Sequence, residues 1–544
     1  MTPDDIKRRL AILESERSNI QSLWDAIERF VSPYRGKFFN DIRQETAVEW
    51  RNREVFDSTA INAAQVLASS IHGSLTSPSI RWFELRFRKD ELNANVTYRG
   101  WLEEVAKRIY AALQDSNFNL EINEVYTDLV SFASSPIIME EDDEAELVFN
   151  SIPVKEVFFD EDHNGNVINF YRRLSWSPVM MAERFGKDAL PQEIREKVES
   201  NSDSRNTKED VIFCVYKRQY GENEKRPDTF KPMAEDLRPF QYKYIVRKCG
   251  SVLKSGGYYE RPVFIPRWRK TSESKWGNSP AFTALPDILT LNQLVELILK
   301  ATEKVVDPAI VTTERGLLSD VNLGAGGLTV VRTIDDLKPF ESRARFDVSE
   351  LQREKLQSSI RSAFYVDQLE LKQSPAMTAT EVQVRYELMQ RLLGPTLGRI
   401  QNDLLSPIIE RAFAILYRNN RLPELPENLS LADLDIEYVG PLSRAQKVDT
   451  AAAAERWLST MAGLAQYDPE VLDVLDIDTI ARDMADVLNV PAKYVLDSAK
   501  VVAKRKQRKE MQSRMQQAEV GKAEGEAAQA QMAAVQQATG AKNA

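Results

Sequence analysis

The residues that could do chemistry together are few. Glu140-Glu141-Asp142-Asp143-Glu144 is a run of carboxylates, the raw material of a two-metal nuclease site. Such a site needs acids that converge from different elements, whereas consecutive acids point apart. The run also lies between two strand-like segments, so it reads as a hairpin tip in solvent. Asp160-Glu161-Asp162-His163-Asn164-Gly165 begins like a calcium loop, but the bidentate acid required at its twelfth position is replaced by Tyr171. Its flanks read as strands, and an Asn-Gly hairpin turn accounts for it better. Gly324-Ala325-Gly326-Gly327 could suggest a phosphate loop, yet the strand-like LTVVRT follows it where a helix would have to open. His72 and His163 are the only histidines and Cys214 and Cys249 the only cysteines. A His/Cys zinc site would consume nearly all of them, and neither histidine lies in a nucleophile motif. The composition leans against metal or histidine catalysis, and no cofactor is expected.

The strong basic cluster is Lys500, Lys504, Arg505, Lys506, Arg508 and Lys509. Such a run is commonly a solvated helix face, and it can also touch DNA phosphates without reading sequence. The chain as a whole is acidic, with a net charge of −10, so it does not hold nucleic acid by a global basic field. Any DNA contact is local or sliding.

With 544 residues, 43% hydrophobic and 28% charged, several packed domains are expected. No run approaches the roughly 18 uninterrupted apolar residues of a membrane span. The charged start MTPDDIKRRLAILESER has no apolar signal core. Two cysteines far apart suit a reducing compartment and buried thiols.

These residues must be carried by three kinds of segment. Residues 3–32 and 58–75 have helical spacing of apolar positions, RWFELRFR (81–88) looks like a strand, and helices follow near 97–115 and 120–134. Residues 136–270 change to short runs rich in β-branched and aromatic residues, with His163-Asn164-Gly165 and Gly256-Gly257 as turns. This is an α+β region with a mostly antiparallel sheet, interrupted by a helix near 177–186. From Asp287 the pattern is helical again. Ile288, Leu291, Leu294, Ile298 and Val305 form one stripe, and Pro308 stops it. A small β insert (AIVTT, LTVVRT) precedes a second helix from Asp347, capped by Asp347 and Glu350. Two helices leaving and returning to one body make a stalk with a tip. Alone it buries too little surface, so it is expected to pack against stalks of neighbouring copies.

After the stalk the chain breaks sharply. Pro375 forbids helix and biases Ser374 towards extended backbone. Thr378 and Glu381 then form a capping box that starts a long helix, interrupted at Gly394-Pro395 and Ser406-Pro407 and therefore kinked. A strand-like LDIEYVG (434–440) and helices over 444–465, 477–488 and 492–515 follow. Residues 511–544 are rich in Gln, Ala and Glu, either disordered or helical only against copies of themselves.

Four stretches in this order, VFDSTAINAAQVLASSIHGSLTSPSIRWFELRF (55–87), WGNSPAFTALPDILTLNQLVELILKATEKVVDPAIV (276–311), SPAMTATEVQVRYELMQRLLGP (374–395) and EYVGPLSRAQK (437–447), resemble the portal, or head-to-tail connector, proteins of short-tailed bacteriophages. The resemblance spans nearly the whole chain. It implies a mainly helical α+β portal fold, assembled as a ring of twelve around an axial channel. It implies a wing at 1–286, stem helices at 287–307 and 347–366, and a clip at 308–346. A tunnel loop falls at 367–377, a long kinked wing helix with a return strand at 378–444, a crown at 445–510 and a tail at 511–544.

On this reading Asp367, Glu370, Lys372, Gln373, Ser374, Pro375 and Met377 face passing DNA, with Lys372 and Gln373 nearest. Lys504, Arg505, Lys506, Arg508 and Lys509 offer a crown contact. The implied protein is no enzyme. It sits at one capsid vertex of the virion, after assembly in the host cytoplasm, and works with scaffolding and major capsid proteins, terminase and tail adaptors, without binding membrane. The double-stranded DNA passes without sequence-specific contact. A different ring-forming head–tail adaptor and, more remotely, a metal-dependent nuclease are the alternatives.

Overall fold

The computed structural model describes residues 1–33, 54–78, 81–87, 89–93, 95–200, 203–220, 231–271, 274–312, 321, 329–333, 337–339, 346–369, 393–426, 436–439, 441–464, 480–481, 484 and 501–515. In chain order these form α1 (Pro3–Phe30), α2 (Thr59–Leu75), β1 (Glu84–Phe87), α3 (Asp90–Asn93), α4 (Val96–Asp115) and α5 (Phe118–Phe132). Then come β2 (Ile137–Asp142), β3 (Glu146–Ser151), β4 (Val157–Glu161), β5 (Val167–Trp176), α6 (Pro178–Phe185), α7 (Gln192–Glu199), β6 (Glu209–Lys217), β7 (Phe240–Val246), β8 (Val252–Tyr258) and β9 (Val263–Phe264). The remainder is α8 (Pro280–Val306), β10 (Ile310–Thr312), β11 (Leu337–Pro339), α9 (Phe346–Ala363), α10 (Val366–Leu369), α11 (Ser406–Arg418), β12 (Ile436–Val439) and α12 (Pro441–Leu464). The fold is mainly helical α+β.

Two compact units divide the chain. The first is Met1–Trp82, Lys107–Leu422 and Gly440–Leu442; the second is Phe83–Ala106, Pro423–Val439 and Ser443–Ala544. In the first, β4-β5-β6-β7-β8 form a five-stranded antiparallel meander, and β3-β2-β9 a smaller sheet. Helix α1 starts at a capping box, in which Thr2 and Asp5 exchange hydrogen bonds. It lies on the meander because Ile6, Leu10 and Leu13 fall on one face and bury against Phe158, Tyr171, Ile212, Cys214 and Ile245. Further along, Trp24 packs edge-on against Trp276 at 4.9 Å and donates its indole N–H to the Phe132 carbonyl. In the second unit β1 pairs antiparallel with β12, Glu84 opposite Val439 and Phe87 opposite Ile436. Asn93 closes the end of β1 by exchanging two hydrogen bonds with the Phe87 backbone.

Several sequence expectations need correction. Helix α8 begins at Pro280, not at Asp287, and runs through Pro286. The ring of Pro286 forfeits one backbone bond; burial of Ala281, Ala284, Leu285 and Ile288 around it offsets that loss. By length and composition α8 is also apolar enough to cross a membrane, although its first half is packed inside the first unit. Gly256-Gly257 is no turn but part of β8. A Cβ on Gly257 would run into the Glu235 backbone carbonyl, so close approach demands glycine there, whereas one on Gly256 would meet side-chain ends that can move, the Glu235 carboxylate and the Tyr242 ring. In the insert, β10 pairs antiparallel with β11, Ile310 opposite Pro339. Asp347 lies inside α9, which already begins at Phe346, and Glu350 pairs with Arg353 at 2.6 Å. Of the two thiols, Cys214 is buried but Cys249 is exposed.

The kink before Ser406-Pro407 takes a specific form. Residues 393–400 are helical, Gln401–Leu405 widen into a π turn, and α11 continues. The Ser406 N–H donates to the Gln401 carbonyl, five residues back. One residue on, Pro407 has no N–H to give, and the widened turn absorbs the mismatch.

Candidate functional site: the two-helix stalk

Helices α8 and α9 pack on each other, and α8 also touches α1, α2 and α5. Their shared end is anchored by apolar burial and by polar clasps. Ile288 and Leu291 from α8, Ile360 from α9, Phe364 from the turn after it and Val366 from α10 are buried. Ser359 donates to Asp287 at 2.7 Å, and Gln357 donates to Asp57 at 2.8 Å. Buried Asn292 accepts from the Phe56 N–H at 2.8 Å and donates to the Glu54 carbonyl at 2.9 Å. Sequence reasoning missed Asn292. Its signal was a polar residue four positions after Ile288 inside the apolar stripe.

Beyond Asn292 the stalk loses its cover. Leu294 and Ile298 are half-buried, while Leu297, Leu299, Val305 and Val306 are 56%, 52%, 50% and 79% exposed. On α9, Leu351 is 54% exposed. The ion pairs here, Glu296 with Lys300 and Glu350 with Arg353, lie along single helices and hold nothing across the stalk. Of the expected stem residues, then, Ile288 and Leu291 are core and Val305 faces outward.

The chain leaves α9 at Tyr365, whose φ of 59° is left-handed, and makes the short helix α10. Asp367 therefore sits in a helical turn instead of a loop. Glu370, Lys372, Gln373, Ser374, Pro375, Met377, Thr378 and Glu381 lie outside the described residues. Lys504, Arg505, Lys506, Arg508 and Lys509 stand exposed on a helix over 501–515.

The acidic clusters are occupied by structural work. Asp160 pairs with Arg9 at 2.6 Å, Glu161 holds both Arg267 and Lys270, and Asp162 accepts from the Asn164 and Asn166 N–H groups across the turn where Gly165 has φ 81°. In the hairpin of β2 and β3, Glu140 accepts from the Tyr258 hydroxyl, Glu141 meets Arg418, and Glu146 is gripped by Arg108. Asp142 caps the turn through the Glu144 and Ala145 N–H groups. These carboxylates diverge to separate partners, and among the described residues no group of three or more His, Cys, Asp or Glu is arranged to hold a metal.

Two deeper ionic centres escaped the sequence reading. Glu260 receives Arg411, buried on α11, and Arg418, half-buried near the end of the same helix. Asp403, in the π turn, lies 3.7 Å from Arg267, and burial raises its carboxyl above the usual range. Arg17 is pulled down to about 10 by burial; it lies over the Phe158 ring at 3.8 Å and donates to the Lys155 carbonyl at 2.6 Å. No signal in the local sequence marks these pairings, because each joins positions far apart in the chain.

Comparison with known proteins shows the class to which this body with its two-helix stalk belongs. The sequence profile described as "Bacteriophage head to tail connecting protein" matches residues 3–496, and the chain belongs to that family. It is a component of the head-to-tail junction of a phage virion. It is 28% identical over 526 residues to the "Probable portal protein" of Bordetella phage BPP-1, covering 93% of this chain and 91% of that one. It is 24% identical over 536 residues to the "Portal protein" of Salmonella phage epsilon15, covering 96% and 94%. Among solved structures, "Virion of native gene transfer agent (GTA) particle" aligns with 79% of this chain and 91% of its own at 10% identity and a TM-score of 0.35, too weak a likeness to carry an argument.

Proposed function

We propose that copies of this chain close into the portal ring at one vertex of a phage head. The ring is the conduit for DNA entering and leaving the capsid. It docks terminase during packaging and tail adaptor proteins afterwards, and it helps start assembly with the capsid and scaffolding proteins. Twelve copies is the number that the family resemblance implies. The observation that carries this reading is the stalk. Its base is clasped into the body, while Leu297, Leu299, Val305 and Val306 on one helix and Leu351 on the other lie open. Apolar side chains so exposed in one chain find cover against the stalks of neighbours, and head-to-tail contacts that close make a ring. The commitment of the acidic clusters to ion pairs and turns supports a mechanical role without catalysis. The tunnel loop, with Lys372 and Gln373, is assigned to the channel wall, where mixed charge suits sliding without a grip on phosphates.

Electron microscopy of the purified protein tests the reading. Rings with a central hole of about 20 Å or more, wide enough for duplex DNA, are expected. The double variant Leu294→Asp, Ile298→Asp should abolish rings while circular dichroism stays near wild type. Intact rings from that variant would overturn the role of the stripe.

A further inference from the structure

The chain contains one Asn-Gly sequence, Asn164-Gly165, at the turn between β4 and β5. Its local role is structural, since Asn-Gly suits a tight hairpin turn. The same pair has a chemistry of its own. Glycine carries no side chain to hinder its backbone nitrogen, so that nitrogen can attack the carboxamide carbon of the asparagine before it.

Here the two partners of that attack are unequally held. Asn164 is exposed, and among the described residues its carboxamide makes no hydrogen bond. Asp162 pins the turn through backbone groups instead, accepting from the Asn164 and Asn166 N–H groups at 2.9 and 2.8 Å. The Gly165 N–H donates to the Asp162 carbonyl at 3.0 Å, and Gly165 is held at a φ of 81°. The electrophile is free and the nucleophile is tied by one backbone hydrogen bond, which contributes a net factor of about 2 to 10. The fold therefore slows the reaction without blocking it. Asn166 differs on both counts. Its amide donates to Asp162 at 3.1 Å, and the branched side chain of Val167 crowds the nitrogen that follows it.

We infer that Asn164 is a site of spontaneous covalent modification, converting to aspartate and isoaspartate while the protein stays folded. The Gly165 nitrogen bonds to the Asn164 carboxamide carbon. The carboxamide C–N bond breaks, and its nitrogen leaves as ammonia with the proton that Gly165 gives up. Solvent water then adds to one or the other carbonyl of the succinimide ring. Opening on one side gives aspartate with the main chain as before. Opening on the other gives isoaspartate, in which the main chain runs through the former side chain and is longer by one carbon.

The longer product matters because of what the turn holds. The Gly165 carbonyl accepts from Arg267 at 3.1 Å. Arg267 is 4% exposed, and its buried Nε has no acceptor among the described residues. Its other partners are Glu161, at the end of β4, and Asp403, 3.7 Å away in the π turn. An added main-chain carbon moves the Gly165 carbonyl and takes an acceptor from a guanidinium that has none to spare. Aspartate at 164 leaves that carbonyl in place. The isoaspartate form alone therefore loosens the junction between the hairpin and the π turn.

The test is peptide mapping by mass spectrometry of the full-length protein aged in mildly alkaline buffer, beside a synthetic peptide of residues 158–168 as the flexible reference. Conversion at Asn164 should run about 2- to 10-fold more slowly in the protein than in the peptide, and ahead of Asn166. An Asn164 that stays intact over roughly ten half-lives of the peptide would overturn the proposal, because a single hydrogen bond cannot protect it so far. The consequence has its own readout. Aged wild type should melt below fresh wild type and below freshly prepared Asn164→Asp. Aged Asn164→Gln, whose longer amide cyclises far more slowly, should melt as it does when fresh. Aged wild type that carries isoaspartate yet melts like Asn164→Asp would overturn the link to Arg267.

Discussion

The amide of Asn292, buried in α8, donates to the backbone carbonyl of Glu54 at 2.9 Å, 238 positions earlier in the chain. The same side chain accepts from the Phe56 N–H at 2.8 Å, so one residue ties the segment before α2 to the root of the stalk. Asn292→Ala leaves both backbone groups without partners, at a cost of about 1–3 kcal/mol for each that stays buried. Chemical denaturation should show a lower midpoint. A midpoint equal to wild type would mean that water replaces the amide without loss.

Glu260 is the shared acceptor for Arg411 and Arg418. Removing its carboxylate leaves Arg411 with the Glu260 backbone carbonyl and Arg418 with Glu141, so the cost is expected below the about 3–5 kcal/mol of a buried pair broken outright. Glu260→Ala should therefore lower thermal stability far more than Glu260→Gln, which keeps acceptor capacity for one donor. Similar melting curves for the two variants would show that charge, and not hydrogen bonding, is what Glu260 supplies.

Asp403 is raised above its ordinary value of 3.8, chiefly by burial, with Arg267 opposing. A carboxyl raised in the folded state favours the protonated fold. Its contribution is fully present below the unfolded value and is lost as pH climbs through the higher folded value. Asp403→Asn should then raise the melting temperature at pH 7, by an amount that shrinks as pH is lowered toward 4. A gain that grows on acidification would contradict this account.

The two cysteines should react differently. Burial pushes the Cys214 thiol up to about 12, whereas Cys249 is exposed. Only the thiolate attacks a disulfide reagent. The native protein should release about one equivalent of chromophore from Ellman's reagent quickly and the second only in denaturant. Two fast equivalents would place Cys214 in a segment that opens readily.

Much of the molecule is legible in the sequence. Helix α1, helix α2 and the hairpins at Asp142–Glu146 and Asp162–Asn166 follow from spacing, capping and turn chemistry, all of which act within a few residues. The stalk could be read as two helices with an insert for the same reason. The clasp at Asn292, the Glu260 and Asp403 centres and the role of Gly257 in letting the Glu235 carbonyl approach could not. They depend on which distant segments meet, as Arg411 meets Glu260 across 151 positions.

Pro286 marks the boundary most clearly. Its sequence signal is a helix stop, and locally that signal is sound. The sequence alone determined the kinds of element, their order and the family resemblance, because periodicity and turn preferences are local energies of the chain. Only the tertiary structure decided that α8 runs on through Pro286, since one lost backbone bond is outweighed when Ala281, Ala284, Leu285 and Ile288 are buried together.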